Sequence, residues 1–197
     1  EFPDLKDAKE IAIDLETKDI NLTTRGSGSA TNNGEITGIA VAVDGWKGYY
    51  PIAHEGGGNM DRKKVIDWFR TILKTEAPKV FHNAMYDVCW IKTLPDMKLN
   101  GRIIDTMIAA GIVNENRFKY DLNSLSREYL KEGKNETALR EAASALGVDP
   151  KSEMYKLPAM YVGEYAEKDA NLTLRLWKEM KYEIYHEDCD SIFELET

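Results

Sequence analysis

The 197 residues are 43% hydrophobic and 30% charged, with a formal net charge of -8. That is enough apolar material for one globular domain with a full core. The acidic balance argues against a tight, nonspecific duplex binder, which would carry a basic face, but leaves room for a site that grips a few nucleotides through metal ions. The two cysteines, Cys89 and Cys189, cannot build a disulfide framework or a paired zinc motif, which points to a reducing, intracellular compartment. Three histidines are too few for a histidine-rich metal site. The first residues are charged rather than apolar, and no apolar run is long enough to span a bilayer, so no membrane partner is expected.

In chain order, residues 1–9 read as a lead-in to a strand over 10–15. Alternation sets Ala12, Asp14 and Glu16 on one face of that strand and Ile11, Ile13 and Leu15 on the other. Two acids on one face repel unless a cation lies between them. A strand running out into a solvated acidic loop and a functional site are both open readings of this stretch. Residues 23–34, rich in Gly, Ser, Thr and Asn, read as a long loop or lid. Strands follow over 35–43 and 48–53, joined at Asp44-Gly45, a hairpin signal.

After the glycine loop of 55–59, a helix over 61–74 carries the stripe Val65, Trp68, Phe69 and Leu73. A fourth strand over 79–82 leads to a helix from Ala84 with Asp87 in its first turn. A short fifth strand over 102–105 precedes a helix from Thr106. Helices are expected from Asp121 onward, around 136–146, from Pro158 to about Met180, and in the acidic tail. Three strands, then strands alternating with helices, then helices argue an α/β domain with a mixed sheet flanked by helices. The loops at Gly26-Ser27-Gly28 and Gly56-Gly57-Gly58 lack the Gly-Lys-Ser/Thr ending of a phosphate-binding loop. Trp46, Tyr49 and Tyr50 read as core packing rather than a base-stacking platform.

Asp87 alone could simply complement its helix dipole. Asp169 is harder to dismiss. Spacings of three and four residues put Tyr165, Asp169, Leu172, Leu176 and Met180 on one inward face of the last long helix. An aspartate there needs a partner, and no lysine or arginine shares the stripe. A metal ion and a distant arginine are the alternatives. Asp14, Glu16, Asp87 and Asp169 thus arrive from three elements as an oxygen-only set suited to Mg²⁺ or Mn²⁺. Two such ions about 4 Å apart suit in-line hydrolysis of a phosphodiester.

The runs Asp14-Leu15-Glu16-Thr17 and Asn83-Ala84-Met85-Tyr86-Asp87, with Tyr165 four residues before Asp169, resemble the three motifs of the DEDD exonuclease superfamily. The tyrosine marks its DEDDy branch. Asp105-Thr106-Met107, the run from Tyr120 to Leu125 and the run from Tyr165 to Leu176 resemble most closely the 3′-5′ proofreading exonuclease domain of family A, DNA polymerase I-like, polymerases. The glycine-rich insertion after the first motif resembles phage versions. The resemblance covers most of the chain and implies a ribonuclease H-like (DnaQ-like exonuclease) fold with a five-stranded mixed sheet.

The resemblance also implies roles. Asp14 would bridge two divalent cations, Glu16 and Asp169 would complete the first metal site, and Asp87 would hold the second. Tyr165 would orient the attacking water, as a hydroxyl of pKa about 10 does better than it acts as a base. Leu15 and Thr17 would approach the terminal nucleotide, Asn83 and Tyr86 would line the strand, and Lys119 or Tyr120 would touch its backbone. His82 reads as structural or lining. The substrate expected is a single-stranded DNA 3′ end. The partner expected is a polymerase domain, with residues 182–197 resembling the helix that leads into it. The alternatives are an RNA-trimming exonuclease of the ribonuclease D type and a non-catalytic nucleic-acid-binding scaffold.

Overall fold

A computed structural model of the chain describes residues 2–187 and 189–196. Glu1, Asp188 and Thr197, within the expected lead-in and tail, lie outside the described residues. The sheet runs in the order β3-β2-β1-β4-β5. Its strands are β1 (Ile11–Lys18), β2 (Glu35–Val43), β3 (Trp46–Pro51), β4 (Lys79–Phe81) and β5 (Ile103–Asp105). The first three form an antiparallel meander, while β4 and β5 add in parallel to β1. The mixed five-stranded α/β architecture is therefore the one expected.

Alternation along β1 decides both layers. Ile11, Ile13 and Leu15 join the apolar cluster of α3 (Arg62–Leu73) and α4 (Ala84–Ile91). Val65, Trp68, Phe69 and Leu73 of the expected α3 stripe are all buried there. On the opposite face, Ala12, Ala40 and Ala42 meet the long helix α8 (Ala159–His186) and α5 (Thr106–Val113). These small side chains let α8 lie close over the centre of the sheet, so its inward residues reach the acid-bearing face of β1. Helices α6 (Leu122–Tyr129) and α7 (Thr137–Leu146) close that side.

Several boundaries differ from expectation for identifiable reasons. Strand β1 continues three residues past Leu15 to Lys18, because polar Thr17 and Lys18 are held by pairing with β2 rather than by burial. A register shift between Glu16 and Thr17 marks a bulge at that point. Bulges re-aim side chains and gather next to active sites. Helix α8 runs six residues beyond Met180, so residues 182–186 are its end. The tail then forms α9 (Asp190–Glu196), which is not fully exposed: Phe193 stacks on Trp177 at 5.4 Å.

The expected loose lid over 23–34 contains two helical turns, α1 (Leu22–Arg25) and α2 (Gly28–Thr31). Both Asp19 carboxylate oxygens accept from Gly28 N at 3.1 Å. A side chain at Gly28 would come within 1.7 Å of the Asn33 carbonyl oxygen, so only glycine permits this approach. The insertion is thereby tied to the end of β1. Tyr50 packs as expected, against Trp68 at 4.2 Å with Trp46 in the same cluster, whereas Tyr49 lies on the opposite layer and its hydroxyl bonds His54.

Candidate active site

The site assembles at the C-terminal ends of β1 and β4, the end of an α/β sheet where clefts form. Asp14 and Glu16 follow the alternation of β1 onto the α8 face. The turn after β4 is fixed by a neighbour the sequence reading did not single out for this work. The Asp105 carboxylate accepts from Asn83 N at 3.0 Å and Ala84 N at 2.7 Å, and from Met107 N at 2.9 Å on its own helix. It thus satisfies open amides at the starts of both α4 and α5. Asn83 takes a left-handed conformation with φ 67, a geometry asparagine tolerates. Its side chain is exposed and makes no capping bond. This turn aims the first turn of α4 at β1, where Asp87 Oδ1 accepts from Leu15 N at 3.0 Å.

Asp169 projects from α8 and is only 4% exposed. Its partner is Lys134, from the irregular stretch between α6 and α7, whose ammonium pairs with Asp169 Oδ2. The same ammonium reaches the Tyr165 hydroxyl at 3.1 Å. Of the alternatives read from the helix stripe, a distant cation is present, and it is a lysine rather than an arginine. No periodic pattern flags Lys134, since it lies in no helix or strand and 35 residues before Asp169. Asp169 Oδ1 is buried with no hydrogen-bond partner among the described residues.

The acids feel one another. Asp14 and Glu16 keep some surface open to the cleft but lie deep among protein atoms. Burial, then repulsion from Glu16, Asp169 and Asp87, pushes the Asp14 carboxyl far up. Burial, then Asp169, lifts Glu16 to about 7. Burial also raises Asp87, against the pull of the Leu15 amide. Burial raises Asp169 too, although Lys134 works against the rise. Burial and the same carboxylates drive the Tyr165 hydroxyl well above its ordinary value, so it stays protonated. Burial opposes the Lys134 charge, but Asp169, Asp14 and Glu16 outweigh it and hold its pKa above the usual lysine value.

This donor set fits a hard divalent cation: it is all oxygen, its members repel one another, and one buried carboxylate oxygen is unsatisfied. As the side chains stand, no three His, Cys, Asp or Glu groups among the described residues are gathered closely enough to hold an ion. Lys134 and the Leu15 amide hold Asp169 and Asp87 in their present positions.

Two cavities flank the acids. The larger, about 720 Å³, is lined by Glu16, Tyr165 and Lys134, with Arg127, Arg140 and Lys151 adding positive charge beside the acids Asp121 and Glu136, the latter paired with Arg140. The smaller, about 350 Å³, is lined by Leu15, Glu16, Thr17 and Tyr86, and by Ile20 and Leu22 of the insertion. Thr17 Oγ1 and the Tyr86 hydroxyl share a hydrogen bond of 2.8 Å, and that hydroxyl also donates to Asp19 Oδ2 at 3.1 Å. Lys119 is exposed, and Tyr120 donates to the Asn114 carbonyl at 3.1 Å; neither lines these two cavities. His82 bonds Thr106 Oγ1 at 2.8 Å, and burial lowers its pKa to about 4, consistent with a structural role.

Residues 2–185 match the family model described as 3′-5′ exonuclease, of the DNA polymerase A type. A DNA-directed DNA polymerase of Pseudomonas phage M6 is 35% identical over 200 residues, which is all of this chain and 30% of that protein. A DNA polymerase DpoZ of Salmonella phage PMBT28 is 28% identical over 202 residues, again 30% of its length. The chain therefore spans under a third of the curated relatives it matches. Among solved structures, Brucella melitensis NrnC superposes with a TM-score of 0.67 at 16% identity, over 98% of this chain and 83% of that one. That likeness carries the ribonuclease H-like fold.

Proposed function

Because the chain belongs to the 3′-5′ exonuclease family of the DNA polymerase A type, we propose that it removes nucleotides from the 3′ end of single-stranded or frayed DNA, releasing nucleoside 5′-monophosphates, as the proofreading part of a phage-type DNA polymerase in an infected bacterial cell. The observation that carries this reading is the mutual repulsion of Asp14, Glu16, Asp87 and Asp169, with Glu16 and Tyr165 at the wall of a cavity of about 720 Å³.

Asp14, Glu16, Asp87 and Asp169 are the residues that would hold two Mg²⁺ or Mn²⁺ ions. When bound, such ions supply Lewis-acid charge stabilisation to phosphodiester hydrolysis. The remaining work falls to the chain. Tyr165 stays protonated and therefore acts as a hydrogen-bonding positioner for the attacking water. Leu15, Thr17 and Tyr86 line a cavity of about 350 Å³, suited to the terminal nucleotide. Arg127, Arg140 and Lys151 give the strand's phosphates positive charge that the protein as a whole lacks. Asn83 sits at the exposed entrance to α4 as a strand-lining side chain, with Lys119 and Tyr120 as outer backbone contacts.

The test is a matched pair of 5′-labelled DNA and RNA oligonucleotides at equal salt, with Mg²⁺, Mn²⁺ or EDTA. Stepwise shortening of DNA that stops in EDTA is expected. A preference for RNA would move the function to the ribonuclease D type, and no cleavage with either metal would leave a binding scaffold.

A further inference from the structure

One partly buried cation stands among the acids without belonging to any of the three motifs. Lys134 and Asp169 form the only ion pair among the described residues in which both side chains are less than 20% exposed, at 16% and 5%. Surface pairs such as Lys63–Asp67 are several times more open, and such pairs contribute little. The Lys134 ammonium also meets the Tyr165 hydroxyl at 3.1 Å and lies 5.0 Å from that ring's centre.

The segment carrying Lys134 is irregular yet pinned at Lys134 itself and two residues before it. Lys134 N donates to Asn123 Oδ1 of α6 at 3.0 Å. Glu132, two residues earlier, takes Lys168 and Arg175 of α8, each at 2.6 Å. Between them those contacts fix the loop to the same helix that carries Asp169. Lys131 pays for the path with a left-handed φ of 56. So much local constraint on a loop argues that the lysine's position is specified.

We propose that Lys134 is a built-in counter-cation: it holds Asp169 and Tyr165 in place while the site lacks a divalent ion, and it gives up Asp169 when one binds. The inference rests on the reading of the four carboxylates as a metal site. The physical reason is competition. A carboxylate oxygen in contact with an ammonium is not free to ligate a metal, and the partner oxygen, Oδ1, is held unsatisfied beside it. Lys134 also lines the 720 Å³ cavity, so its ammonium has open space to enter on release. Metal affinity is then reduced by the fraction of sites that Lys134 occupies.

Calorimetric titration with Mn²⁺ of the wild-type chain, Lys134→Met, Lys134→Arg and Asp14→Asn tests this. Lys134→Met should bind Mn²⁺ about tenfold more tightly. It should also melt at lower temperature in EDTA and regain wild-type stability at saturating Mn²⁺, while Lys134→Arg keeps wild-type stability in EDTA. A Lys134→Met affinity equal to or weaker than wild type, with Asp14→Asn weakened, overturns the proposal while leaving the metal site standing. No Mn²⁺ binding by the wild-type chain overturns the metal-site reading itself. A second measurement needs no variant: acylation of the Lys134 amine, followed by mass spectrometry, should rise several-fold when Mn²⁺ is added. Unchanged protection overturns the proposal.

Discussion

Strand β1 buries Ile11, Ile13 and Leu15 against α3 and α4 on one side, and turns Ala12, Asp14 and Glu16 toward α8 on the other. The first face gains from every residue it removes from water. The second loses by burial, since its carboxyl groups are raised by desolvation and by one another. One strand of eight residues therefore carries a stabilising face and a destabilised one, and the same alternation that builds the first fixes the aim of the second. The two faces thus act on the stability of the metal-free fold with opposite sign, and only one of them carries the acids. Substitutions on the two faces should break different properties.

The largest effect should come from Asp14→Ala. Nuclease turnover is expected to fall by about a thousandfold or more, on the scale of losing a central catalytic group. The melting temperature in EDTA should hold or rise, because repulsion with Glu16, Asp87 and Asp169 is relieved. Turnover within tenfold of wild type would remove Asp14 from the site. On the opposite face, Ile13→Ala should cost about 2–5 kcal/mol of stability by leaving a cavity in a closed core. Turnover measured well below the lowered melting point should stay within about twofold. A large loss of turnover in the still-folded variant would show that the two faces are not independent.

Tyr165→Phe probes the acid face more gently. It removes a hydroxyl and no charge, so turnover should drop about ten- to a hundredfold, with Mn²⁺ binding largely kept in calorimetry. A lost metal signal would assign Tyr165 a different task. The smallest effect is on pH. Glu16 titrates near 7 in the folded chain against an ordinary value of 4.5, a rise caused first by burial and then by Asp169. A raised carboxyl adds stability below its unfolded pKa and loses it as pH climbs through the folded one. The metal-free chain should therefore melt at progressively lower temperature between about pH 4.5 and 7. A flat profile in EDTA over that window would mean the acids are less crowded than described.

Much of this was legible in the sequence because periodicity reports on burial. Alternation in β1 separated its faces, and spacings of three and four on α8 put Asp169 inward before any partner was known. What the pattern could not carry are contacts between segments without a period. Lys134 lies in an irregular stretch, and nothing local to it shows that it meets Asp169. Asp105 reads as a strand end, yet its oxygens set the turn that aims Asp87. The insertion over 23–34 reads as loose from composition, although Asp19 and Gly28 tie it down.

Lys79 is a further surprise. It is fully buried in β4, solvated by the carbonyls of Thr75 and Asn100, and lowered by burial to about 8. Its partners are neutral, whereas those of Lys134 are acids and a tyrosine. The two lysines thus repeat the division between the two faces of β1.

The central claim is that the acid face of β1, with Asp87 and Asp169, forms one metal-binding site at the end of the sheet. The most direct measurement is a crystal structure of the chain soaked with Mn²⁺ and a nucleoside 5′-monophosphate, with the ions located by anomalous scattering. Two ions among Asp14, Glu16, Asp87 and Asp169, with the nucleotide's phosphate beside Tyr165, are the expected result. Clear nucleotide density with the carboxylates unligated, or ions bound elsewhere, would contradict it.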